Sequence, residues 1–107
     1  MKNKSKYIQI STTVAKRADA ERIAKILLDK KLSACTQIIG PITSIYRWKG
    51  KMEKSKEWLC IMKGKESQYK RIEKVIKEIH PYQLPEIIAT QIIKGSQEYI
   101  GWMGEEL

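Results

Sequence analysis

The sequence predicts an α+β sandwich with the ferredoxin-like order β-α-β-β-α-β, in which both helices cover one face of an antiparallel sheet and a short C-terminal helix follows. Two segments carry apolar residues at helical spacing, and the segments around them have the alternation or β-branched composition of strands. The chain has 107 residues, of which 42% are apolar and 31% charged, as expected for one globular unit. We therefore expect a single domain over residues 1–107.

The first strand and the first helix are predicted over residues 7–13 and 20–31. Polar and apolar residues alternate in the first segment, which is the pattern of a half-buried strand. In the second segment, apolar residues recur every three or four positions and charged residues fill the other side, which predicts a buried stripe. This stripe consists of Ala20, Ile23, Ala24, Leu27 and Leu28.

A long β-hairpin is predicted to follow. Residues 33–48 have the composition of one strand, interrupted by a bulge or bend at Gly40-Pro41 because Pro41 has no amide hydrogen to donate. The basic stretch 49–56 is expected to form a polar hairpin tip, in which Gly50 can adopt positive φ.

The return strand of the hairpin is predicted over residues 58–63, with Gly64 at its end. Each arm of about ten residues extends roughly 33 Å, which is longer than a small sheet requires. The sheet face opposite the helices is expected to be bare and rich in Ile, Trp and Tyr in a lone chain. Both features favour self-association through hairpin edges.

The second half of the chain predicts a helix, a strand and a terminal helix. Residues 66–79 form an amphipathic helix that Pro81 ends, because the residue before a proline avoids helical geometry. Residues 82–86 are extended, 87–93 form the last strand, and 97–107 form a short helix that needs a surface to dock on. The stripe predicted to be buried on the first of these helices is Tyr69, Ile72, Ile76 and Ile79.

The composition and motifs exclude several classes of protein. One His and two Cys cannot supply a four-ligand zinc site within one subunit unless carboxylates complete it, and two Cys are too few for a disulfide scaffold. The sequence has neither a membrane-spanning apolar run nor a signal peptide, so we expect a cytoplasmic protein without a membrane partner. It also has no nucleophile–base pair, phosphate-binding loop or dinucleotide motif, so no enzymatic activity is expected.

The charge of the chain is uneven. Its formal net charge is +9, and residues 1–56 hold fourteen basic and four acidic residues, whereas residues 57–107 hold seven and eight. RNA-recognition domains share the predicted order of elements, so an RNA-binding module is the alternative function. Against it, residues 57–63 lack the alternating aromatic residues that stack on bases, and a solvated lysine-rich surface is the simpler explanation of the charge.

Several short motifs follow one another in a fixed order between residues 7 and 105. The most specific are a hairpin with tyrosine, tryptophan and glycine at alternate positions, and a segment with histidine, proline and tyrosine followed by proline and glutamate. The motifs are Ala34-Cys35-Thr36-Gln37-Ile38, Tyr46-Arg47-Trp48-Lys49-Gly50, the strand from Glu57 to Lys63, His80-Pro81-Tyr82, Pro85-Glu86, Tyr99 and Trp102. In this combination the chain resembles the CutA divalent-cation tolerance protein family.

The resemblance implies a ferredoxin-like fold assembled as a tight homotrimer, similar in architecture to the PII signalling proteins. It further implies a bacterial or archaeal cytosolic protein linked to tolerance of copper and other divalent metals, without an established catalytic activity. Two modes of action stay open, direct binding of metal and a signalling or adaptor role. Ser11 stands where a cysteine takes part in the copper ligation proposed for the family.

The candidate metal ligands are His80 and Cys35. A neutral imidazole binds copper or zinc and a thiolate binds Cu(I), so the cofactor to consider is copper or another divalent cation, weakly bound. The alternative for His80 is a helix cap before Pro81, and the alternative for Cys35 and Cys60 is a small buried core residue. Cys60 is expected to pair near residue 42, too far from Cys35 for a disulfide.

A second candidate site combines a cation, a phenol and a carboxylate near strand ends, namely Lys63, Tyr82 and Glu86. These residues suit an intersubunit pocket for an anion or small metabolite, and the alternative is an ion pair with a tyrosine hydrogen bond that sets the subunit geometry. Large aromatic residues dominate burial at cores and interfaces, so five of them are assigned to assembly. They are Tyr46, Trp48, Trp58, Tyr99 and Trp102.

Overall fold

In the computed structural model, which describes residues 6–107, the chain forms one four-stranded sheet and three α-helices. The elements are β1 (Tyr7–Val14), α1 (Arg17–Asp29), β2 (Cys35–Trp48), β3 (Lys51–Lys65), a 3-10 turn (Glu66–Gln68), α2 (Tyr69–Ile79), β4 (Ile88–Gln91) and α3 (Gln97–Glu106). The strands lie in the order β2-β3-β1-β4, and each neighbouring pair is antiparallel. The predicted fold class and order of elements are confirmed. None of the helices described here has the length and apolar character that crossing a bilayer requires.

The main core lies between the sheet and the two helices α1 and α2, and we call this side of the sheet the helix face. The predicted stripe of α1 is buried except for Leu28, which is 41% exposed. On α2 the residues fully or almost fully buried are Ile72, Val75 and Ile76, whereas Tyr69 and Ile79 lie at the margin of the core. The spacing of apolar residues therefore predicted the correct face of each helix, but it included Leu28 on α1 and missed Val75 on α2.

The hairpin tip differs from the prediction. The turn consists only of Lys49 and Gly50, with φ of 52° and 78°, and Trp48 already pairs with Lys51. The prediction of a polar tip over 49–56 is wrong, because pairing between strands uses backbone groups and does not require apolar side chains. Gly64 does not end β3 either, since it pairs with β1 within the strand.

The bend predicted within β2 is confirmed. The pairing of β2 with β3 changes register between Ile39 and Ile42, on either side of Gly40-Pro41. As a result Cys60 pairs with Ile38, not near residue 42 as predicted, and Cys35 lies opposite Lys63. Both cysteines are free thiols, as expected.

The hairpin extends well beyond β1. The last pair between β1 and β3 joins Val14 to Trp58, so β3 has no partner on that side from Glu57 to the turn. We call this part of β2 and β3 the hairpin extension, residues 42–57. Its strands pair with each other along their whole length.

The sheet face opposite the helix face, called the open face below, is covered at one end by α3. Met103 is fully buried there against Tyr7 and Ala34. The terminal helix thus packs on the sheet, as predicted for a short helix that needs a surface to dock on. The expectation of an entirely bare face is wrong at this end. The uncovered part keeps an apolar row on three of the four strands, formed by Ile39 on β2, Leu59 and Ile61 on β3, and Ile88 on β4, with Ser11 of β1 between Ile61 and Ile88.

Close packing at Gly64 provides a test of this fold. A Cβ at this position would lie 2.5 Å from the Leu32 carbonyl oxygen, which is backbone and cannot move aside cheaply. We expect Gly64→Ala to lower the free energy of unfolding by about 1–3 kcal/mol. In Gly101→Ala, the control, the new methyl has open space on a helix, so this change should be neutral or stabilise by up to about 1 kcal/mol. Urea unfolding of both variants at equal protein concentration measures the difference, and equal effects would contradict the packing described.

Candidate functional site

A groove of about 870 Å³ lies between the hairpin extension and the segment 82–86. This volume is within the range of sites that bind small molecules, about 300–1,000 Å³. Pro81 and Pro85 stiffen the segment, and the hairpin supplies the opposite wall. The groove is therefore a candidate site for a small ligand.

The base of the groove is formed by Glu57, a residue that is only 7% exposed. One of its carboxylate oxygens accepts a hydrogen bond of 2.7 Å from the Tyr82 hydroxyl. Burial, and in addition the bond to the Glu57 carboxylate, raise the pKa of Tyr82 above its usual value of 10. The phenol is therefore protonated at neutral pH and acts as a fixed donor to a buried carboxylate, which would otherwise be costly to bury.

His80 connects this pair to the sheet. Its Nε2 donates to the Thr13 carbonyl oxygen at 2.9 Å, and its Nδ1 accepts from the Tyr82 amide at 3.0 Å. Burial lowers the pKa of His80 from 6.5, and the Thr13 bond and the charges of Asp19 and Glu57 oppose this only in part. An imidazole that accepts at one nitrogen and donates at the other is neutral. His80 thus positions Tyr82, and through it the carboxylate of Glu57.

Aromatic side chains line the hairpin wall of the groove. Tyr46 and Trp48 lie two positions apart on β2, on the same side of the pleat, and are 42% and 41% exposed. The Tyr46 hydroxyl is 2.8 Å from Ser55 Oγ, which holds the ring against the hairpin. Glu53 and Glu86 complete the rim from the two facing segments.

Two of the three residues predicted to form a pocket line this groove, and the third does not. Tyr82 and Glu86 are in its wall. Lys63 lies six positions from Glu57 along β3, a distance of about 20 Å, and its Nζ donates to Gln37 at 3.1 Å and to the Tyr99 hydroxyl at 3.3 Å. Within one chain these three residues do not form a cluster, because Tyr82 lies at Glu57, near the middle of β3, whereas Lys63 lies near the C-terminal end of that strand. A pocket formed between subunits stays a prediction.

Glu57 is the central residue of the groove, and the sequence analysis did not identify it as a site residue. The sequence contained one signal for it. Alternation along β3 places Glu57 on the same face as Leu59 and Ile61, so a carboxylate is in phase with apolar residues. A charged residue in such a position requires a partner, and only the tertiary structure shows that the partner is Tyr82.

The predicted metal ligands lie apart from each other. Both ring nitrogens of His80 already make hydrogen bonds, and Cys35 lies opposite Lys63 at the other end of the hairpin. Among residues 6–107, no three His, Cys, Asp or Glu side chains form a group suited to a metal ion. Burial raises the pKa of the other thiol, Cys60, to about 11, so it is protonated at neutral pH. Copper ligation by His80 or Cys35 stays a prediction.

The aromatic residues assigned to assembly occupy three places. Trp58 packs at the margin of the core, where the Arg17 guanidinium lies 5.5 Å from its ring. Tyr99 and Trp102 contact each other on α3, with ring centroids 5.4 Å apart, and each is about 40% exposed. Tyr46 and Trp48 line the groove. Trp58 is therefore chiefly a core residue, and the other four keep surface that a partner can cover.

Comparisons with known proteins agree with one another. A family model described as CutA1 divalent ion tolerance protein matches residues 8–106. The divalent-cation tolerance protein CutA of Thermus thermophilus is 38% identical over 93 residues, which make up 87% of this chain and 90% of that protein. A CutA homolog of Xenopus laevis is 38% identical over 80% of this chain, which spans 57% of that protein's length. A solved structure described as the periplasmic divalent cation tolerance protein CutA of Archaeoglobus fulgidus is 37% identical, with a TM-score of 0.90 over 94% of this chain and 97% of that one.

The neutral state of His80 predicts a dependence of stability on pH. His80 is the single histidine of the chain, and its pKa is lower in the folded protein than the ordinary 6.5. Below about pH 6.5 the unfolded chain therefore binds a proton that the folded chain does not. The free energy of unfolding should therefore decrease as the pH is lowered through this range, by at most about 1.4 kcal/mol per pH unit.

Urea unfolding between about pH 7.5 and 5.5 measures this loss. His80→Gln cannot titrate in this range, so it serves as the control and should show a smaller decrease. Identical pH profiles for the two proteins would contradict the assignment of a neutral, buried imidazole.

Proposed function

Because the chain belongs to the CutA1 divalent ion tolerance family, we propose that it acts in divalent-metal tolerance as a homotrimer without catalytic activity. It would act through what it binds, as a signalling or adaptor protein, rather than by transforming a substrate. The observation that carries the proposal is the apolar row on the open face. The number of three subunits follows from the family resemblance.

Self-association is supported by the surface that one chain leaves uncovered. Ile39 and Ile88, in the apolar row, are 48% and 55% exposed. Ile39 belongs to β2, an edge strand of 14 residues that pairs on one side with β3 and, in the described part of the chain, has no strand on its outer side. An exposed apolar face next to a long open edge is a surface that another chain covers in stable proteins. In a closed cyclic assembly, the apolar face and the open edge of every copy are covered in the same way.

A binding role fits the titratable groups of the chain better than catalysis. His80, the usual candidate for a general base, makes hydrogen bonds at both nitrogens, and the Cys60 thiol is fully buried. A metal centre within one chain has no support either, because no three suitable ligands lie together among residues 6–107. We therefore propose that any copper bound by this protein is bound weakly, at His80 or Cys35.

The alternative function, RNA binding, is less well supported. RNA-recognition domains stack bases on aromatic residues of the sheet. On this chain the corresponding open face of β3 presents Leu59, Ile61 and Lys63. A salt-dependent RNA shift by the assembled protein would favour the alternative.

The assembly can be tested by mass. Equilibrium sedimentation at micromolar concentration should give about three times the 12.4 kDa of one chain. Ile39→Arg places a charge in the apolar row and should shift the protein toward monomer. Leu28→Arg is the matched control, because Leu28 is similarly exposed, 41% against 48%, but lies on α1 outside the open face. A stable wild-type monomer would overturn the proposal.

Copper titration by calorimetry tests the mode of action. We expect weak binding, with Kd in the micromolar range or above, and a decrease of no more than about threefold in His80→Gln. The reason is that a metal at His80 would have to replace one of its two hydrogen bonds. Tight stoichiometric binding that is lost in His80→Gln would contradict this and assign His80 as a copper ligand.

A further inference from the structure

A smaller cavity of about 210 Å³ lies at the end of the sheet remote from the hairpin turn, where α1 ends and α2 begins. Its volume is below the range of about 300–1,000 Å³ that is usual for drug-sized ligands, so it suits a small ion. Four of its lining residues are cationic, and no Asp or Glu side chain lines it. We call this cavity the basic pocket, and its cations are Lys30, Lys31, Lys65 and Arg71.

Backbone contacts hold together the segments that form the basic pocket. The amide of Leu32 donates to the Leu27 carbonyl oxygen at 2.9 Å, which turns the chain sharply at the end of α1. The Leu32 carbonyl oxygen packs against Gly64, where an added Cβ would lie only 2.5 Å from it. Because Gly64 directly precedes Lys65, the end of α1 and the end of β3 lie side by side. The 3-10 turn and α2 follow β3 at once and bring Arg71 to the same place.

The protein itself does not compensate these four cations. Among residues 6–107, the salt bridge found joins Arg17 to Glu21, and none of the four cationic side chains makes a hydrogen bond. Even with the negative charge that a terminal carboxylate at Leu107 would add, the lining keeps a net charge of +3, four positive less one negative. Like charges around one small cavity repel each other, and an anion bound there relieves the repulsion. Three acidic residues are neighbours of lining residues in the chain without lining the cavity, namely Asp29, Glu66 and Glu106.

Lys31 occupies a backbone position that favours another residue. It follows the end of α1 with a φ of 58°, in the left-handed region that glycine adopts freely and that a Cβ disfavours. Helices commonly end in this turn, and glycine is its usual residue. The turn would therefore form at least as well with glycine, and it gives no reason for a lysine.

Arg71 is unfavourable for the helix that carries it. It is the third residue of α2, and the first turn of this helix has no acidic residue. The N-terminal end of a helix carries a partial positive charge, which favours Asp or Glu and disfavours Arg. Residues that conflict with their local structure are expected at functional sites. The feature that Lys31 and Arg71 share is the basic pocket.

The basic pocket lies outside the surfaces assigned to self-association. Its residues come from the end of α1 and the turn after it, the last residue of β3, the start of α2, and Leu107 after α3. None of them belongs to the apolar row, to β2 or to the hairpin extension. A site here is therefore independent of the proposed trimer.

We propose that the basic pocket binds a diphosphate group, either as the inorganic ion or as part of a small organic molecule. The oxygens of diphosphate accept hydrogen bonds from guanidinium and ammonium groups, both of which are common phosphate ligands. Several negative charges on one small ion match several cations better than a single carboxylate does. The inference goes beyond metal tolerance and does not rest on it.

Calorimetric titration of the whole protein with sodium diphosphate, without divalent cations, tests the inference. At about 0.15 M ionic strength we expect a Kd of about 1 mM or tighter, and a tighter Kd as salt is removed. Lys31→Gly and Arg71→Gln should each weaken binding about threefold, and together about tenfold.

Lys77→Gln is the matched control for these variants. It removes one exposed cation from α2, six positions or about 9 Å along the helix from Arg71. This distance exceeds the screening length of about 8 Å at the ionic strength used, so the affinity should change less than about 1.5-fold.

Stability without ligand separates a binding role from a structural one. Lys31→Gly and Arg71→Gln should unfold in urea at the same midpoint as the wild type or at a higher one, because each change removes a local conflict. Lower midpoints in both variants would show that the two charges support the fold, and would overturn the inference.

Two further measurements place the ligand and identify its source. Backbone amide shifts induced by diphosphate should fall at residues 30–33, 65–71 and 107. A similar Kd for ADP supports an organic diphosphate whose other end faces solvent, whereas binding of inorganic diphosphate alone supports the free ion.

Four results would overturn the inference. They are no binding of diphosphate, equal affinities of both pocket variants and the Lys77→Gln control, shifts elsewhere in the chain, and equally tight binding of sulfate at matched ionic strength. A monomer that binds diphosphate would leave this inference standing and overturn only the proposed trimer.

Discussion

The structure depends on a mismatch in strand length. β2 and β3 extend past the last residue of β1, so from Glu57 to the turn β3 has a neighbour on one side only. An edge opened in this way exposes backbone groups and the Glu57 side chain to water. The segment after α2 covers the base of this edge, and the Tyr82 hydroxyl bonds to the carboxylate there. The groove is the space that this partial cover leaves beside the rest of the hairpin.

A chain of hydrogen bonds joins the separate elements around the groove. It runs from the Thr13 carbonyl at the end of β1, through the ring of His80, to the amide of Tyr82, whose side chain reaches Glu57 on β3. Each member is buried or half-buried, so no water competes strongly for these bonds. The end of α2 is thereby attached to both the short and the long strand. This explains why the single imidazole of the chain has a structural position and a lowered pKa.

Total charge is a poor guide to the chemistry of such a surface. The basic residues of the hairpin extension made a polyanion partner a reasonable expectation from composition. The pleat instead places Lys54 and Lys56 on one side, and Glu53 and Glu57 together with Lys51 on the other. Screening in physiological salt restricts the effect of each group to about 8 Å, so the potential on each side of the hairpin depends on the residues of that side and not on the net charge of the chain. Among the described residues, the carboxylates are also too dispersed for a metal centre within one chain.

The sequence by itself determined the elements whose signal is local. The spacing of apolar residues predicted α1, α2 and β1 to within about three residues at each end, and Gly40-Pro41 predicted the change of register in β2, because burial period and proline geometry act over a few residues. It failed where polar residues form regular structure, as in the strand over 51–56, since backbone pairing does not depend on side-chain polarity.

Only the tertiary structure decided which distant residues meet. It separated Lys63 from Tyr82, joined Tyr82 to Glu57, and placed α3 over one end of the open face. These contacts follow from strand register and from the length by which one strand extends beyond another. Both are properties of the whole sheet, and no single segment of sequence encodes them.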